Sequence, residues 1–469
     1  MSEELAYLSA TEMVERFARK KLSPVEITEA ALNRIAWLNP KLNAFLLVDA
    51  DKALAQARES ERRWAAGKPQ GLLDGVPVSI KDLVLTKGWP TLRGSRAVDP
   101  NQPWLEDAPA VARLREHGAV ILGKTTTPEF GHKGVTDSPL SGITRNPWNL
   151  DKTPGGSSGG ASAAIAAGLG PLAIGTDGGG SIRIPSSFAG IYGIKPTYGR
   201  VPSYPLSPFG TLSHVGPMTR VVADAALLLT VIAAPDWRDW HALPADPQDY
   251  RRDLDAGIKG LRVAYSPTLG LADVPLEPEV RALTDAAADS FASLGAKVSR
   301  VDPDWPHDPA EVFLCHWTAG AAFMLGAFSD AQRAVMDPTL LEFGARGRRY
   351  SGIAIKEADY RRGALGLAFN RLMQDFDLLL SPTLPIPAFA VGTPYPSPDY
   401  AGRELAWIPF TYPFNLTRNP AASVPCGFTA SGLPVGLQIV GPLYGDRTVL
   451  RASRAYERAN PFHERRPQL

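Results

Sequence analysis

The sequence predicts an α/β protein. Three observations carry that reading. Helical and strand periodicities alternate along the chain, and the runs Asp377 to Leu380 and Val435 to Val440 are apolar without alternation, as in strands covered on both faces. A composition of 44% hydrophobic and 21% charged residues suits a large buried core. At 469 residues the length allows about three domains or one large α/β unit.

Ser9 with Glu12, and Ser23 with Pro24 and Glu26, are capping-box starts that predict two N-terminal helices within residues 9–38. Ile27, Ala31, Ile35 and Leu38 share one face of the second. Val76, Val78 and Ile80 alternate with Pro77, Ser79 and Lys81, which predicts a strand with the lysine on the face opposite the aliphatics. Val120 to Leu122 predicts another strand, Arg220 to Ala233 a helix, and Leu261 to Ser266 a strand. Val280 to Leu294 reads as an amphipathic helix stopped at Gly295, followed by the strand Ala296 to Val301. The Pro-rich stretch Ser381 to Pro398 reads as a long loop.

Composition excludes several classes of function. Forty-nine basic against 48 acidic residues leave a net charge of +1, so no whole-molecule field attracts nucleic acid or anionic lipid. Cys315 and Cys426 cannot build a disulfide framework, and no CxxC pair offers zinc ligands. The acidic start Met-Ser-Glu-Glu is unlike a secretory signal, and Ala161 to Thr176 is too short and Gly-rich to span a bilayer. The expectation is a cytoplasmic protein without metal or membrane anchor.

Two Gly/Ser clusters, Thr153-Pro-Gly-Gly-Ser157-Ser-Gly-Gly160 and Gly175-Thr-Asp177-Gly-Gly-Gly-Ser181-Ile-Arg183-Ile-Pro185, admit four readings. A flexible linker is the plainest, but both clusters abut apolar segments, Ala161 to Ala167 and Leu172 to Ile174. A phosphate loop lacks the Lys that should follow its last Gly. Gly155-x-Ser157-x-Gly159 fits a nucleophile elbow by letter, yet polar turn sequence precedes it. Its triad would need a histidine from among His214, His241, His307, His316 or His463, and none has a local signature. The fourth reading is a serine activated by lysine. A lysine buried away from counter-charge loses its proton near neutral pH, which takes a shift of roughly three pKa units, or about 4 kcal/mol.

Gly75-Val-Pro-Val-Ser-Ile-Lys81-Asp82 joins these two clusters, and the three segments resemble, in order, the catalytic blocks of the amidase signature family. Lys81, Ser157 and Ser181 stand 76 and 24 residues apart, as in that family. The likeness extends through Lys124-Thr-Thr-Thr-Pro-Glu-Phe130, Gly190-Ile-Tyr-Gly-Ile-Lys195-Pro-Thr-Tyr-Gly199, Gly216-Pro-Met-Thr-Arg220 and Asn419-Pro-Ala-Ala-Ser-Val-Pro-Cys426-Gly427.

The resemblance implies a single-domain α/β/α sandwich with a mixed central sheet over residues 1–469. Its catalytic core would lie at about 70–220 and a variable, pocket-shaping segment at about 236–400. It implies amide hydrolysis through an acyl-serine, without cofactor. Ser181 would be the nucleophile, Ser157 a bridging serine after a cis peptide bond, and Lys81 the base. Gly178, Gly179 and Gly180 would supply the oxyanion hole, Asp177 and Arg183 a buried structural pair, and Phe130, Gly131 and His132 a pocket wall. The implied substrate is a small amide, with carbamates and esters sharing the chemistry, and the assembly a homodimer. Gly178, Ala189 and Arg418 depart from residues common in the family, and Ile184 from the Gln usual in the glutaminase components of tRNA-dependent amidotransferases. Such a glutaminase component is the alternative function, and a Ser-His-Asp α/β-hydrolase the remote one.

Overall fold

Ser9 and Ser23 cap two helices, Ala10–Ala18 and Pro24–Leu42, and in both capping boxes the Glu three residues on returns a bond to the cap N–H. The computed structural model describes residues 3–245, 249–400 and 402–469; Met1, Ser2 and positions 246–248 of the expected pocket-shaping segment lie outside the described residues. The helix expected from Arg220 runs Val222–Ile232, because Val221 is still extended. The helix Pro278–Ser293 ends as expected before Gly295, which sits at φ +91.

Eleven strands form one sheet. In chain order they are β1 (Phe45–Val48), β2 (Pro77–Lys81), β3 (Val120–Thr125), β4 (Leu172–Asp177), β5 (Tyr192–Lys195) and β6 (His214–Thr219). The rest are β7 (Arg262–Tyr265), β8 (Lys297–Arg300), β9 (Leu378–Pro382), β10 (Ala421–Phe428) and β11 (Pro434–Val440). Their spatial order is β1-β3-β2-β4-β6-β5-β10-β11-β9-β7-β8. β2 runs parallel to β3 and β4, and β7 parallel to β8 and β9, while the central pairings are antiparallel. The sheet is therefore mixed.

Both faces are covered, and the strand residues divide between them with period two. Val78, Ile80, Leu172, Ile174, Leu378 and Leu380 join one core with the helices Ala10–Ala18, Val222–Ile232 and Asp446–Ala459. Ala173 joins a second core with the helix Gly159–Ala166, and Leu379 and Val440 a third with Phe369 and Phe414. Lys81 ends β2 fully buried, on the face that Val78 and Ile80 do not share.

One carboxylate shapes the glycine loop between β4 and the helix Arg183–Ala189. Asp177 Oδ1 accepts from the Gly180 N–H at 2.8 Å, and Oδ2 from the Ile182 N–H at 3.2 Å. Arg183 meets it bidentately, with Nε and Nη2 each at 3.0 Å. The remaining guanidinium hydrogens reach Thr411 O at 2.8 Å, Gln438 Oε1 at 2.7 Å and Asn415 Oδ1 at 2.7 Å. Burial works against the charge on Asp177, but Arg183 overcomes it and holds the carboxyl well below its ordinary range. Gly180 sits at φ +130, and a Cβ there would lie 2.4 Å from Thr411 Oγ1, so this turn requires glycine.

Both charges are completely buried, so removing one leaves the other uncompensated. Arg183→Met is expected to lose about 3–5 kcal/mol in urea denaturation. Arg183→Met with Asp177→Asn should recover part of that loss. A single variant within about 1 kcal/mol of the parent would show that the pair does not hold the loop.

Candidate active site

Lys81 carries its amine past the end of β2 into a cluster of hydroxyls. Nζ lies 2.7 Å from Ser157 Oγ, 2.8 Å from Ser158 Oγ and 2.9 Å from Thr176 Oγ1. No carboxylate pairs with it among the described residues. Burial pushes the Lys81 ammonium well below its ordinary range, and the charge of Asp177 opposes the shift without cancelling it. Asp82, the neighbour in sequence, faces the other way: its Oδ1 is 3.7 Å from Lys124 Nζ.

Ser157 follows a cis peptide bond at Gly156. It precedes the helix Gly159–Ala166, and the Ser158 N–H donates to Ser181 O at 3.1 Å, which ties the two Gly/Ser clusters together. Ser157 and Ser181 line one cavity of about 100 Å³ with Gly131, Thr176 and Gly178. A second cavity, of about 230 Å³, meets the first at Ser181, Gly131 and Trp317 and is walled by Ile184, Phe313 and Trp407. Ser181 thus stands where the two cavities join.

The expected three-glycine donor set needs correction. The Gly180 N–H is committed to Asp177 inside the loop, so it points away from an incoming oxyanion. The N–H groups of Gly178 and Gly179 have no acceptor among the described residues.

Phe130, Gly131 and His132 are brought to the cavities as expected: Phe130 lines the smaller, His132 the larger, and Gly131 both. Gly131 adopts φ +70, and a Cβ there would come within 3.2 Å of Ser157 Oγ. His132 is a wall residue. Burial pushes its imidazole down to about 4, and its ring nitrogens bond Glu129 O at 2.7 Å and Thr339 Oγ1 at 2.6 Å.

Sequence reading missed Ser158 and Thr176 as partners of Lys81, although both stand inside the two Gly/Ser clusters. It also passed over Lys195 and His214. His214 is buried beneath the glycine loop, with Nδ1 at 2.8 Å from Leu212 O and Nε2 at 3.3 Å from Lys195 Nζ. Among the described residues no histidine bonds Ser157 or Ser181, and no strand leads into Ser157. The Ser-His-Asp alternative therefore has neither its base nor its elbow.

Comparison with known proteins agrees with this geometry. The family profile described as Amidase matches residues 26–450. The chain is 41% identical to the acylamidase of Rhodococcus erythropolis, over 99% of this chain and 98% of that one. It is 38% identical to the glutaminase-type component, the A chain, of the glutamyl-tRNA(Gln) amidotransferase of Roseiflexus castenholzii, again over 99% and 98%. Among solved structures, a bacterial aryl acylamidase of the amidase signature family superposes with a TM-score of 0.91 at 32% identity, covering 98% of each chain. A 6-aminohexanoate cyclic dimer hydrolase superposes with a TM-score of 0.90 at 29% identity, covering 99% of each. With a family match over nearly its whole length, a mixed α/β sheet and buried lysine and serines at the motif positions, the chain belongs to the amidase signature family and is an amide hydrolase.

Proposed function

We propose that the protein hydrolyses small amides, anilides foremost, through a covalent acyl-Ser181, with Lys81 as the base and Ser157 as the proton relay. The observation that carries this is the buried, depressed amine of Lys81 at 2.7 Å from the Ser157 hydroxyl. The Ser158 hydroxyl spends its hydrogen on Thr176 O at 3.1 Å, so it accepts from Lys81. That leaves the lone pair of neutral Lys81 free to accept from Ser157.

In this reading Ser181 Oγ attacks the carbonyl carbon and passes its proton to Ser157 as the Ser157 proton moves to Lys81. The N–H groups of Gly178 and Gly179 hold the oxyanion. When the C–N bond breaks, its electron pair stays on nitrogen and the amine takes a proton back through Ser157. Water, deprotonated along the same path, then releases the acid from Ser181. The same attack serves esters and carbamates, so esterase activity accompanies amidase activity.

The apolar wall around Ser181 favours this over a glutaminase role, the second reading that the amidotransferase relatives supply. Ile184, Phe313, Trp317 and Trp407 present aliphatic and aromatic surface rather than partners for a glutamine side chain. The aryl acylamidase among the structural neighbours supports anilides as the substrate. Two free thiols, Cys315 and Cys426, fit a cytoplasmic setting.

A fluorophosphonate should label Ser181, read by mass spectrometry, and Ser181→Ala should abolish both labelling and anilide turnover. Labelling at another serine, or full turnover in the variant, would refute the nucleophile. The base requires neutral Lys81, so kcat/KM should climb as pH rises through the depressed lysine pKa and then level off. Lys81→Ala should lose at least about a thousandfold together with that acidic limb. An acidic limb that survives in Lys81→Ala belongs to another group and would remove Lys81 from the role.

A further inference from the structure

We infer that Arg93 binds a carboxylate on the leaving amine, so that the preferred substrates are amides of amino acids or aminobenzoic acids; this rests on the acyl-Ser181 reading. The smaller cavity is the amine side. Ser157, which returns the proton to the departing nitrogen, lines that cavity, while the larger one is reached from Ser181 past Gly179 and Ile184.

Around the smaller cavity the lining is prolines, aromatics, aliphatics and hydroxyls, and Arg93 is its charged residue. The guanidinium forms neither a hydrogen bond nor an ion pair among the described residues, and it is half-buried. An unpartnered cation on an otherwise apolar wall is a binding feature, because its desolvation is repaid only when an anion arrives. The nearby carboxylates are otherwise engaged. Asp82 accepts backbone N–H groups of residues 92–94 and faces Lys124. Glu106 and Asp99, in the groove outside, accept from the Tyr204 hydroxyl at 3.0 Å and the Asn101 N–H at 2.8 Å.

The backbone of Arg93 is held in the left-handed region, at φ +58. That conformation is disfavoured for a side-chain-bearing residue and persists only where the surroundings fix it. Here they do: Asp82 Oδ2 takes the Gly94 N–H on one side, and Arg93 O accepts from the Phe130 N–H at 2.7 Å on the other. The clamp fixes the point from which the side chain leaves the loop, beside Phe130 and at the edge of the cavity that holds both serines.

The test compares 4-acetamidobenzoate with 4-acetamidobenzamide, which share a ring and differ in the charge of the para group. The carboxamide is the more electron-withdrawing, so leaving-group chemistry alone favours the neutral substrate. Wild-type enzyme is expected to favour the acid in kcat/KM by about tenfold or more, the size of one charge-assisted contact. In Arg93→Met that ratio should fall by about the same factor, and Arg93→Lys should keep an intermediate ratio. As a check on wild-type protein alone, 4-aminobenzoate should inhibit hydrolysis of acetanilide more strongly than 4-aminobenzamide. Equal ratios in wild type and Arg93→Met, or equal inhibition by the two amines, would overturn the assignment of Arg93 while leaving acyl-Ser181 in place. If wild type turns over neither anilide and no label reaches Ser181, the hydrolase mechanism falls and the Arg93 assignment with it.

Discussion

The buried Asp177 carboxylate is the constraint on which the rest of the site depends. It sits at the end of a strand where the chain must reverse into a helix, and its two oxygens gather main-chain N–H groups from the turn and the guanidinium of the helix's first residue. Those bonds set the path of the three glycines, and that path sets the direction of Ser181. Arg183 carries the constraint outward, through Gln438 to β11 and through Asn415 and Thr411 to the segment before β10. Strands far apart in sequence are thereby tied to one turn. The commitment of the Gly180 N–H belongs to the same logic, since the loop uses one of its own donors to hold the others in place.

Two lysines buried to the same degree, Lys81 and Lys124, show how neighbours decide the fate of a charge. Lys124 meets Asp82 and bonds Val84 O at 2.7 Å and Thr91 Oγ1 at 2.8 Å. Burial still pushes it down to about 8 and lifts Asp82 to about 6, which leaves the two oppositely charged at neutral pH. Lys81 faces hydroxyls instead, and the charge of Asp177 that bears on it is claimed by Arg183. Strand alternation makes the separation, because Lys81 and Asp82 leave the backbone on opposite sides. A single extra residue in β2 would exchange their surroundings.

Local rules were legible because they act over a few residues. The caps at Ser9 and Ser23, the stop at Gly295, the alternation through Ile80 and the apolar strands at 378–382 and 434–440 all have nearby causes. The motif positions Lys81, Ser157 and Ser181 were legible from their residue types and order. Thr176 and Ser158 were not, because their bonds to Lys81 close loops of 95 and 77 residues that no periodicity reports. The same holds for Arg93, whose meaning depends on which partners it lacks. The engaged Gly180 donor was hidden differently, since three adjacent glycines look alike until a carboxylate selects one.

Chemistry and selectivity come from different parts of the fold. Lys81, Thr176 and Asp177 sit at strand ends, and Ser157 and Ser181 on turns clamped between strand and helix, so their positions follow from the sheet itself. The cavity walls come from elsewhere: Arg93 and residues 202–209 on loops, Phe313 and Trp317 on the helix Pro309–Leu325, and Trp407 on the segment before β10. These walls bury aromatic area against one another, with Phe209 and Trp317 stacked at 3.8 Å and Phe313 and Trp317 at 5.2 Å between ring centroids. A substitution in that layer changes what fits beside Ser181 without touching the bonds that orient it. A substitution at Asp177 or Arg183 does the reverse, removing the attack geometry while leaving both cavities lined by the same side chains.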